Sequence, residues 1–247
     1  MPEKLWHLKN CDLFERLSPA ELRQVESRCR SRVVPRRTPI YLPIDQADGV
    51  LLLTSGRAKI CNFTAEGKQA ILAFIEPGEL FGELAIFSEG EREEYAEAVE
   101  KSTILLIPGE EIQRLMEQHP NISLGITKLI GLRRRRIERR LKYLLFRSNR
   151  ERLIHLLLEL TEQYGRTVAE GTWISIQLSH QDLANIIGST RETVSLLLGE
   201  FQKEGILSIG RRKITLHDVT ALALSVDARP IQPAQSPPFP ISESPRL

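Results

Sequence analysis

The chain has 247 residues, of which 41% are hydrophobic, and a formal net charge of +2 at pH 7. This length suits one large domain or two smaller ones, and the small net charge excludes a protein that is basic over its whole surface. No apolar run reaches the roughly 18 residues of a membrane span, and the N-terminus lacks the apolar core of a signal peptide, so we expect a cytoplasmic protein without membrane contact.

The first half of the chain changes from a helical to a β pattern. Residues 5–29 read as helical, with a strong start signal at Ser18, where a Ser cap is followed by Pro19 and Glu21. From about residue 32 to residue 108, short β runs alternate with Gly-containing turns. The clearest strands are residues 50–53, 58–61, 70–75 and 103–107. Many short strands at this spacing predict a small barrel or jelly roll.

A long helix is predicted from about residue 121 to residue 146, after a shorter one at residues 109–119. Apolar residues recur along it every seven positions with two more beside them, which is a coiled-coil seam of about three heptads. The alternative is a helix packed on its own domain. The run of arginines at residues 133–136 is interpreted as a solvated face of this helix. The residues of the predicted seam are Ile126, Ile130, Ile137, Leu141 and Leu144.

The charge is unevenly distributed along the chain. Residues 133–152 are strongly basic, whereas residues 76–100 are acidic. This asymmetry is typical of a protein of which only one part binds nucleic acid.

Another amphipathic helix is predicted at residues 149–164. A loop at residues 165–171 and a short strand at residues 173–176 then connect it to the most informative segment of the chain.

Residues 178–205 predict two short helices joined by a tight turn. Residues 179–182 can form a capping box, Gly188 can end the first helix, and residues 189–192 form a second Ser-x-x-Glu capping box. The second helix then places Val194, Leu197, Leu198 and Phe201 on an inward face.

The outward face of the second helix is polar at its N-terminus, where it carries Arg191, Glu192 and Ser195. Recognition helices present their N-terminal residues to base edges in the major groove. Arg can bind guanine O6 and N7 together, and Glu can accept from the cytosine amino group. The segment therefore predicts a DNA-reading helix–turn–helix.

A hairpin with a basic tip follows. Residues 206–209 and 214–216 read as its strands, and the tip carries Arg211, Arg212 and Lys213, which are suited to phosphate contact. The alternative is a small helical bundle with a solvated basic turn. The segment from residue 227 to residue 247 is rich in proline and is predicted to be a disordered tail.

The order of parts, a β-barrel, a long helix and a winged helix–turn–helix, resembles the Crp/Fnr family of bacterial transcription regulators. The motifs that carry the resemblance are residues 55–57, 77–84 and 188–194, and it extends over about residues 10–222. It implies an α+β fold with a double-stranded β-helix (jelly-roll) domain at residues 1–120, similar to cyclic-nucleotide-binding domains. It also implies a dimerisation helix at 121–147 and a winged helix–turn–helix at 148–226.

The resemblance implies a homodimer joined along the long helices, with one recognition helix of each subunit in successive major grooves of a near-palindromic promoter site. RNA polymerase is a possible partner, through residues 163–171. Leu196 stands where the cAMP-binding relative carries a base-reading Arg, so a different half-site is expected. The expected DNA-binding residues are Ser179, His180, Gln181, Thr190, Arg191, Glu192, Thr193, Ser195, Leu196, Arg211, Arg212 and Lys213.

The effector cassette of the family is matched only in part. Gly82 and Glu83 match, and Arg92 takes the phosphate-binding position, but Glu93 and then Glu94 stand where a small hydroxyl residue is needed. A carboxylate there repels a phosphate, so we expect no control by cAMP or cGMP. The alternatives are a different, unknown effector, an empty barrel, or a cyclic-nucleotide-responsive regulator with a divergent pocket. The acidic pair could bind a cation, but a solvated pair is favoured. The candidate effector residues are Gly82, Glu83, Leu84, Arg92 and Glu93.

The sequence offers no recognisable catalytic machinery. It has no Ser/His/Asp constellation, no Walker loop and no metal-ligand set. The three cysteines, Cys11, Cys29 and Cys61, are too scattered for an iron–sulfur cluster or a disulfide framework, and the five histidines have no haem-ligand spacing. We therefore expect no enzyme, no metal and no cofactor. A nucleotide-regulated enzyme subunit and a DNA-architectural protein remain the competing functional classes.

Overall fold

The computed structural model describes residues 3–87, 90–210 and 213–228. The chain divides into two compact units, Met1–Ile137 and Glu138–Leu247. Within the described ranges, no helix is both long and apolar enough to cross a membrane. The predicted tail beyond residue 228 lies outside the described residues, as do Arg211 and Arg212 of the predicted hairpin tip.

The N-terminal unit begins with helices where the sequence predicts one continuous helical region. Ser18 caps the second of these helices, and its hydroxyl accepts from the Glu21 N–H at 3.3 Å, which confirms the predicted start. The helical segments are α1 (Glu3–Lys9), a 3₁₀ turn (Asp12–Phe14) and α2 (Pro19–Arg28).

Eight strands follow among the described residues, and they include the four predicted ones. A second 3₁₀ turn, Glu83–Ile86, lies between the sixth and seventh strands. The strands are β1 (Arg30–Val34), β2 (Pro39–Tyr41), β3 (Gly49–Ser55), β4 (Ala58–Phe63), β5 (Gln69–Ile75), β6 (Leu80–Phe81), β7 (Tyr95–Ala98) and β8 (Ser102–Pro108).

The strands form two antiparallel sheets, in the orders β1-β8-β3-β6 and β2-β7-β4-β5. Strand β3 shows how the unit is layered. Val50 and Leu52 belong to a core shared with the helices, whereas Leu51 and Leu53 belong to a core shared with the second sheet. Because both faces of this strand are covered, its sequence is a continuous apolar run instead of an alternating one. This arrangement agrees with the predicted jelly roll.

Two helices, α3 (Gly109–Gln118) and α4 (Pro120–Phe146), follow the sheets. The boundary between the two units falls after Ile137, inside α4. Ile126 is only 2% exposed and belongs to the core of the N-terminal unit, against which Ile130 also packs. Ile126 is thus covered within the N-terminal unit, whereas Ile130 is only half-buried. The exposed part of the seam is Ile137, Leu141 and Leu144.

Within the described residues, the C-terminal unit packs four further helices on a small sheet. The elements are α5 (Asn149–Tyr164), β9 (Gly165–Val168), β10 (Gly171–Ile174), α6 (His180–Ile187), α7 (Arg191–Lys203), β11 (Leu207–Gly210), β12 (Lys213–Leu216) and α8 (Val219–Leu224). Strand order in the sheet is β11-β12-β10-β9, with all pairs antiparallel. The segment predicted as a loop at residues 165–171 contains β9, which pairs with β10.

Candidate functional site

The turn between α6 and α7 is set by one glycine. Ser179 caps α6 through the predicted capping box with Asp182. Gly188 ends this helix in the left-handed conformation, with φ +65°. The left-handed backbone favours glycine here, and a Cβ at this position would also lie 2.8 Å from the Cδ2 atom of Leu144, which would have to shift.

The start of α7 differs from the predicted capping box. Thr190, not Ser189, is the N-cap, and its hydroxyl accepts from the Thr193 N–H at 3.2 Å. The helix therefore begins at Arg191, one residue later than a Ser189 cap implies. Arg191 and Glu192 thus lie in the first turn of α7. The backbone N–H groups of this turn have no acceptor inside the helix, so the N-terminal end of α7 offers both side-chain and backbone donors.

The two faces of α7 separate as the apolar pattern predicts. Its inward face is buried, and the outward face of its first half is exposed. Leu196 is 64% exposed, although it is apolar. The buried residues are Val194, Leu197, Leu198 and Phe201, and the exposed ones are Arg191, Glu192, Ser195 and Leu196.

The predicted polar contacts on α6 lie beside this exposed face. The His180 Nδ1 atom is 2.8 Å from the Ser195 hydroxyl, which links the first turn of α6 to α7. Gln181 is exposed and donates to the Asn185 side chain at 2.8 Å. The structure therefore brings the expected α6 and α7 residues onto adjoining surface.

The hairpin of β11 and β12 forms as predicted. Gly210 and Lys213 pair at its end, and the Lys213 side chain is exposed. The Lys213 Nζ atom is 5.4 Å from the ring centre of Trp173, so this cation also rests over an aromatic face of the neighbouring strand β10.

The candidate effector residues lie in the N-terminal unit, around the turn after β6. Gly82 is left-handed, with φ +68°, and a Cβ there would lie 2.5 Å from the Arg92 Nη1 atom. Glu83 is 6% exposed. Its carboxylate accepts from Arg133 on α4, whose other Nη atom donates to the Leu80 carbonyl.

This contact corrects the interpretation of residues 133–136 as a solvated face. Arg133 is half-buried and paired, whereas Arg134 and Arg135 are exposed. Nothing in the sequence pattern signals the pairing, because Glu83 and Arg133 are 50 positions apart and meet only in the folded unit.

Arg92 is held by backbone carbonyls and an aromatic ring. Its guanidinium donates to the Gly49 carbonyl at 2.8 Å and to the Gly82 carbonyl at 3.4 Å. The guanidinium carbon lies 4.4 Å from the ring centre of Tyr41. A phosphate at Arg92 would therefore compete with contacts that the guanidinium already makes.

The carboxylate that faces the same region is Glu94, not Glu93. Glu93 and Leu84 are exposed, whereas Glu94 accepts from the Tyr41 hydroxyl at 3.2 Å. Burial raises the pKa of Glu94, and nearby Glu83 raises it further. The expectation of a solvated pair is thus wrong for Glu94. Arg92 and Glu94 both lie against Tyr41, which the guanidinium approaches over its ring and the carboxylate through its hydroxyl.

The polar groups that would hold a cyclic nucleotide already have partners within the N-terminal unit. The Glu that would hold the ribose hydroxyl is paired with Arg133, and the Arg that would hold the phosphate is shared between two carbonyls. The Tyr41 ring lies against the Arg92 guanidinium, and the Tyr41 hydroxyl donates a hydrogen bond to the Glu94 carboxylate. A phosphate would meet an anion in a poorly hydrated place, which costs free energy.

Two family models match the chain. One is described as a cyclic nucleotide-binding domain and matches residues 31–119, and the other as a Crp-like helix-turn-helix domain and matches residues 151–224. A cyclic AMP receptor protein from Thermus thermophilus is 30% identical over 215 residues, which cover 87% of this chain and 96% of that protein. A global nitrogen regulator from Synechocystis is 30% identical over 190 residues, covering 76% and 84% respectively.

Solved structures agree with this fold. The structure of a CooA variant from Carboxydothermus hydrogenoformans has a TM-score of 0.74 and 25% identity, covering 92% of this chain and 97% of that chain. FixK2 from Bradyrhizobium japonicum, at 23% identity, shares the fold with a TM-score of 0.71 and covers 81% of this chain and 98% of its own. The predicted resemblance is confirmed. The chain belongs to the Crp/Fnr family of DNA-binding transcription regulators.

Proposed function

We propose that this regulator acts as a homodimer that reads a near-palindromic promoter site, with the N-terminal half of α7 in the major groove. The observation that carries the proposal is the exposed polar start of α7 above a fully buried apolar face. In this proposal, the exposed Arg191 binds guanine and the exposed Glu192 accepts from cytosine. Leu196 offers an apolar contact for a thymine methyl group.

The dimer is proposed to form along the exposed part of α4. Ile137, Leu141 and Leu144 lie at seam spacing and are 47%, 54% and 40% exposed, which is unusual for large apolar side chains on one helical stripe. Two-fold symmetry of such a dimer would place the two α7 helices about 34 Å apart, on half-sites one helical turn apart. Two further predicted DNA contacts, from Thr190 and Lys213, would position the protein through phosphates.

The proposal includes no control by cAMP or cGMP. The Glu83–Arg133 pair, the carbonyl contacts of Arg92 and the half-buried Glu94 support it. A responsive regulator with a divergent pocket is the second candidate, because Gly82, Glu83 and Arg92 occupy the positions that the family resemblance assigns to ligand binding.

Two further parts of the proposal concern the surroundings of the protein. A contact with RNA polymerase would use the β9–β10 hairpin, whose tip at residues 169–170 is exposed. The cytoplasm is the proposed compartment, since a promoter-binding protein works where the chromosome lies.

The test begins with selection of binding sites from a randomised DNA library by the full-length protein. The selected site is then titrated, as labelled duplex at fixed salt, against a scrambled duplex with and without cAMP. We expect selective binding of a two-fold symmetric site and the same affinity with and without cAMP.

Two variants sharpen the experiment. Arg191→Ala should weaken binding about tenfold and relax the preference for guanine at one half-site position, a loss typical of a bidentate base contact. Lys203→Ala, at the exposed far end of the same helix, is the matched control and should keep the preference. Selective binding that appears only with cAMP would refute the effector part alone, and no sequence preference at all would refute the DNA-reading role.

A further inference from the structure

The Ser195 side chain stands at the centre of a small hydrogen-bond cluster on the proposed DNA-facing surface. Ser195 is exposed on α7, and its hydroxyl donates to the Arg191 carbonyl, one turn earlier, at 2.9 Å. The Nδ1 atom of His180, in the first turn of α6, lies 2.8 Å from the same oxygen. Two different helices therefore fix one hydroxyl group.

The hydrogen-bonding capacity of this hydroxyl is limited. A serine hydroxyl has one proton and two acceptor lone pairs. In one tautomer, His180 donates from Nδ1 and the serine proton goes to the Arg191 carbonyl. In the other tautomer, Nδ1 is an acceptor, and the serine hydroxyl donates its hydrogen bond either to Nδ1 of His180 or to the Arg191 carbonyl. In both cases the single proton has a partner inside the protein.

We propose that Ser195 reads DNA as an acceptor only, and that His180 is the positioning residue that enforces this. This inference rests on the proposed function, because it assumes α7 in the major groove. An oxygen with only a lone pair to offer accepts from an exocyclic amino group, N6 of adenine or N4 of cytosine. Guanine and thymine present acceptors at the corresponding places, O6 and O4, and are not bound.

Serine alone carries no such selectivity, since a freely rotating hydroxyl can donate or accept and so serves any base. Here the Arg191 carbonyl accepts the serine proton, and His180 holds the hydroxyl in place from the other helix, so the two contacts together remove that freedom. The expected specificity is therefore adenine or cytosine at the base that Ser195 faces, and it depends on a residue that lies on the other helix.

The experiment uses the full-length protein and its selected site. Every half-site position is replaced by each of the four bases, symmetrically, and affinities are measured at fixed salt for the native protein, His180→Ala, His180→Asn, Ser195→Ala and the double Ala variant. Asparagine keeps a hydrogen-bonding atom at the position of Nδ1, so it serves as the conservative replacement.

At one half-site position, the native protein should prefer adenine or cytosine by about fivefold, a modest factor for a single hydrogen bond. Ser195→Ala should abolish this preference, and His180→Ala should reduce it to less than half because the hydroxyl then keeps only its contact with the Arg191 carbonyl. Both variants should keep the preferences elsewhere, and the double variant should lose no more selectivity than Ser195→Ala, because both changes act on the same contact. His180→Asn should restore at least half of the preference.

Other results overturn the inference. A uniform loss of affinity for all bases in His180→Ala, with the Ser195-dependent preference intact, would make His180 a phosphate contact only. A preference for guanine or thymine that Ser195→Ala removes would show that the hydroxyl donates. Absence of any selective site for the native protein would instead refute the proposed function, and the inference with it. Unfolding midpoints of all variants separate these results from a folding defect.

Discussion

The carboxylate of Glu83, in the 3₁₀ turn after β6, is paired with the guanidinium of Arg133 on α4, 50 positions later in the chain. The side chains are only 8% and 17% exposed. Arg133 also donates to the Leu80 carbonyl, so a single side chain ties the helix to both the end of β6 and the turn that follows it. The pair thus joins the candidate effector residues to the helix that carries the proposed dimer seam.

Removal of Arg133 should destabilise the N-terminal unit. Arg133→Met leaves the Glu83 carboxylate nearly buried without its cation, and we expect a loss of about 3 kcal/mol in unfolding free energy. The double variant with Glu83→Gln should lose less than the sum of the two single changes. Urea titration measures both values. Arg135→Met, an exposed site on the same helix, is the control, and an equal loss there would show that the effect is not due to the pair.

The raised pKa of Glu94 predicts a pH-dependent penalty. Burial and the neighbouring Glu83 hold this pKa above its ordinary value of 4.5, so the folded state binds the proton more tightly than the unfolded state. The penalty is absent when the group is protonated in both states, and it reaches its full size above the folded-state pKa. Glu94→Gln should therefore raise the unfolding midpoint at pH 7, and the gain should shrink as the pH falls through the raised folded-state pKa and be lost below about 4.5. The exposed neighbour variant Glu93→Gln should show no such gain.

Two glycines on the helix–turn–helix are expected to respond in opposite directions. Gly188→Ala places a Cβ on left-handed backbone and against Leu144, and should cost about 1–2 kcal/mol or more. Gly199→Ala, inside α7, meets nothing within 4 Å and should stabilise the unit by about 0.5–1 kcal/mol. Thermal unfolding should show a lower midpoint for Gly188→Ala and a higher one for Gly199→Ala. Equal destabilisation by both substitutions would contradict the left-handed turn assigned to Gly188.

A charge on the exposed seam should separate the proposed dimer. Leu141→Glu places carboxylates opposite each other at an apolar contact, and we expect monomers in sedimentation experiments and at least a hundredfold loss of affinity for the selected site. Leu132→Glu lies on the opposite side of α4 and is the matched control, since Leu132 is similarly exposed. Dimers that persist in Leu141→Glu would place the interface elsewhere.

Local patterns were sufficient wherever a neighbour in sequence makes the structure. The capping boxes at Ser18 and Ser179 and the end of α6 at Gly188 depend on atoms within a few residues, and all three formed as predicted. The cap of α7 shows the limit of this reasoning. Ser189 and Thr190 both have a hydroxyl that can cap a helix, and only the backbone path after Gly188 selects Thr190.

Periodicity and short motifs encode the two domain types, the inward face of α7 and the polar residues at its exposed start, so all of these could be predicted before folding was considered. The pairing of charges could not, because it depends on the folded chain. Arg133 reaches Glu83, Glu94 shares Tyr41 with Arg92, and His180 holds Ser195, each across two elements. The tertiary structure also buried Ile126 and left Ile137 exposed on the same helix. The physical reason is that such contacts depend on how separate elements pack, which no local spacing contains.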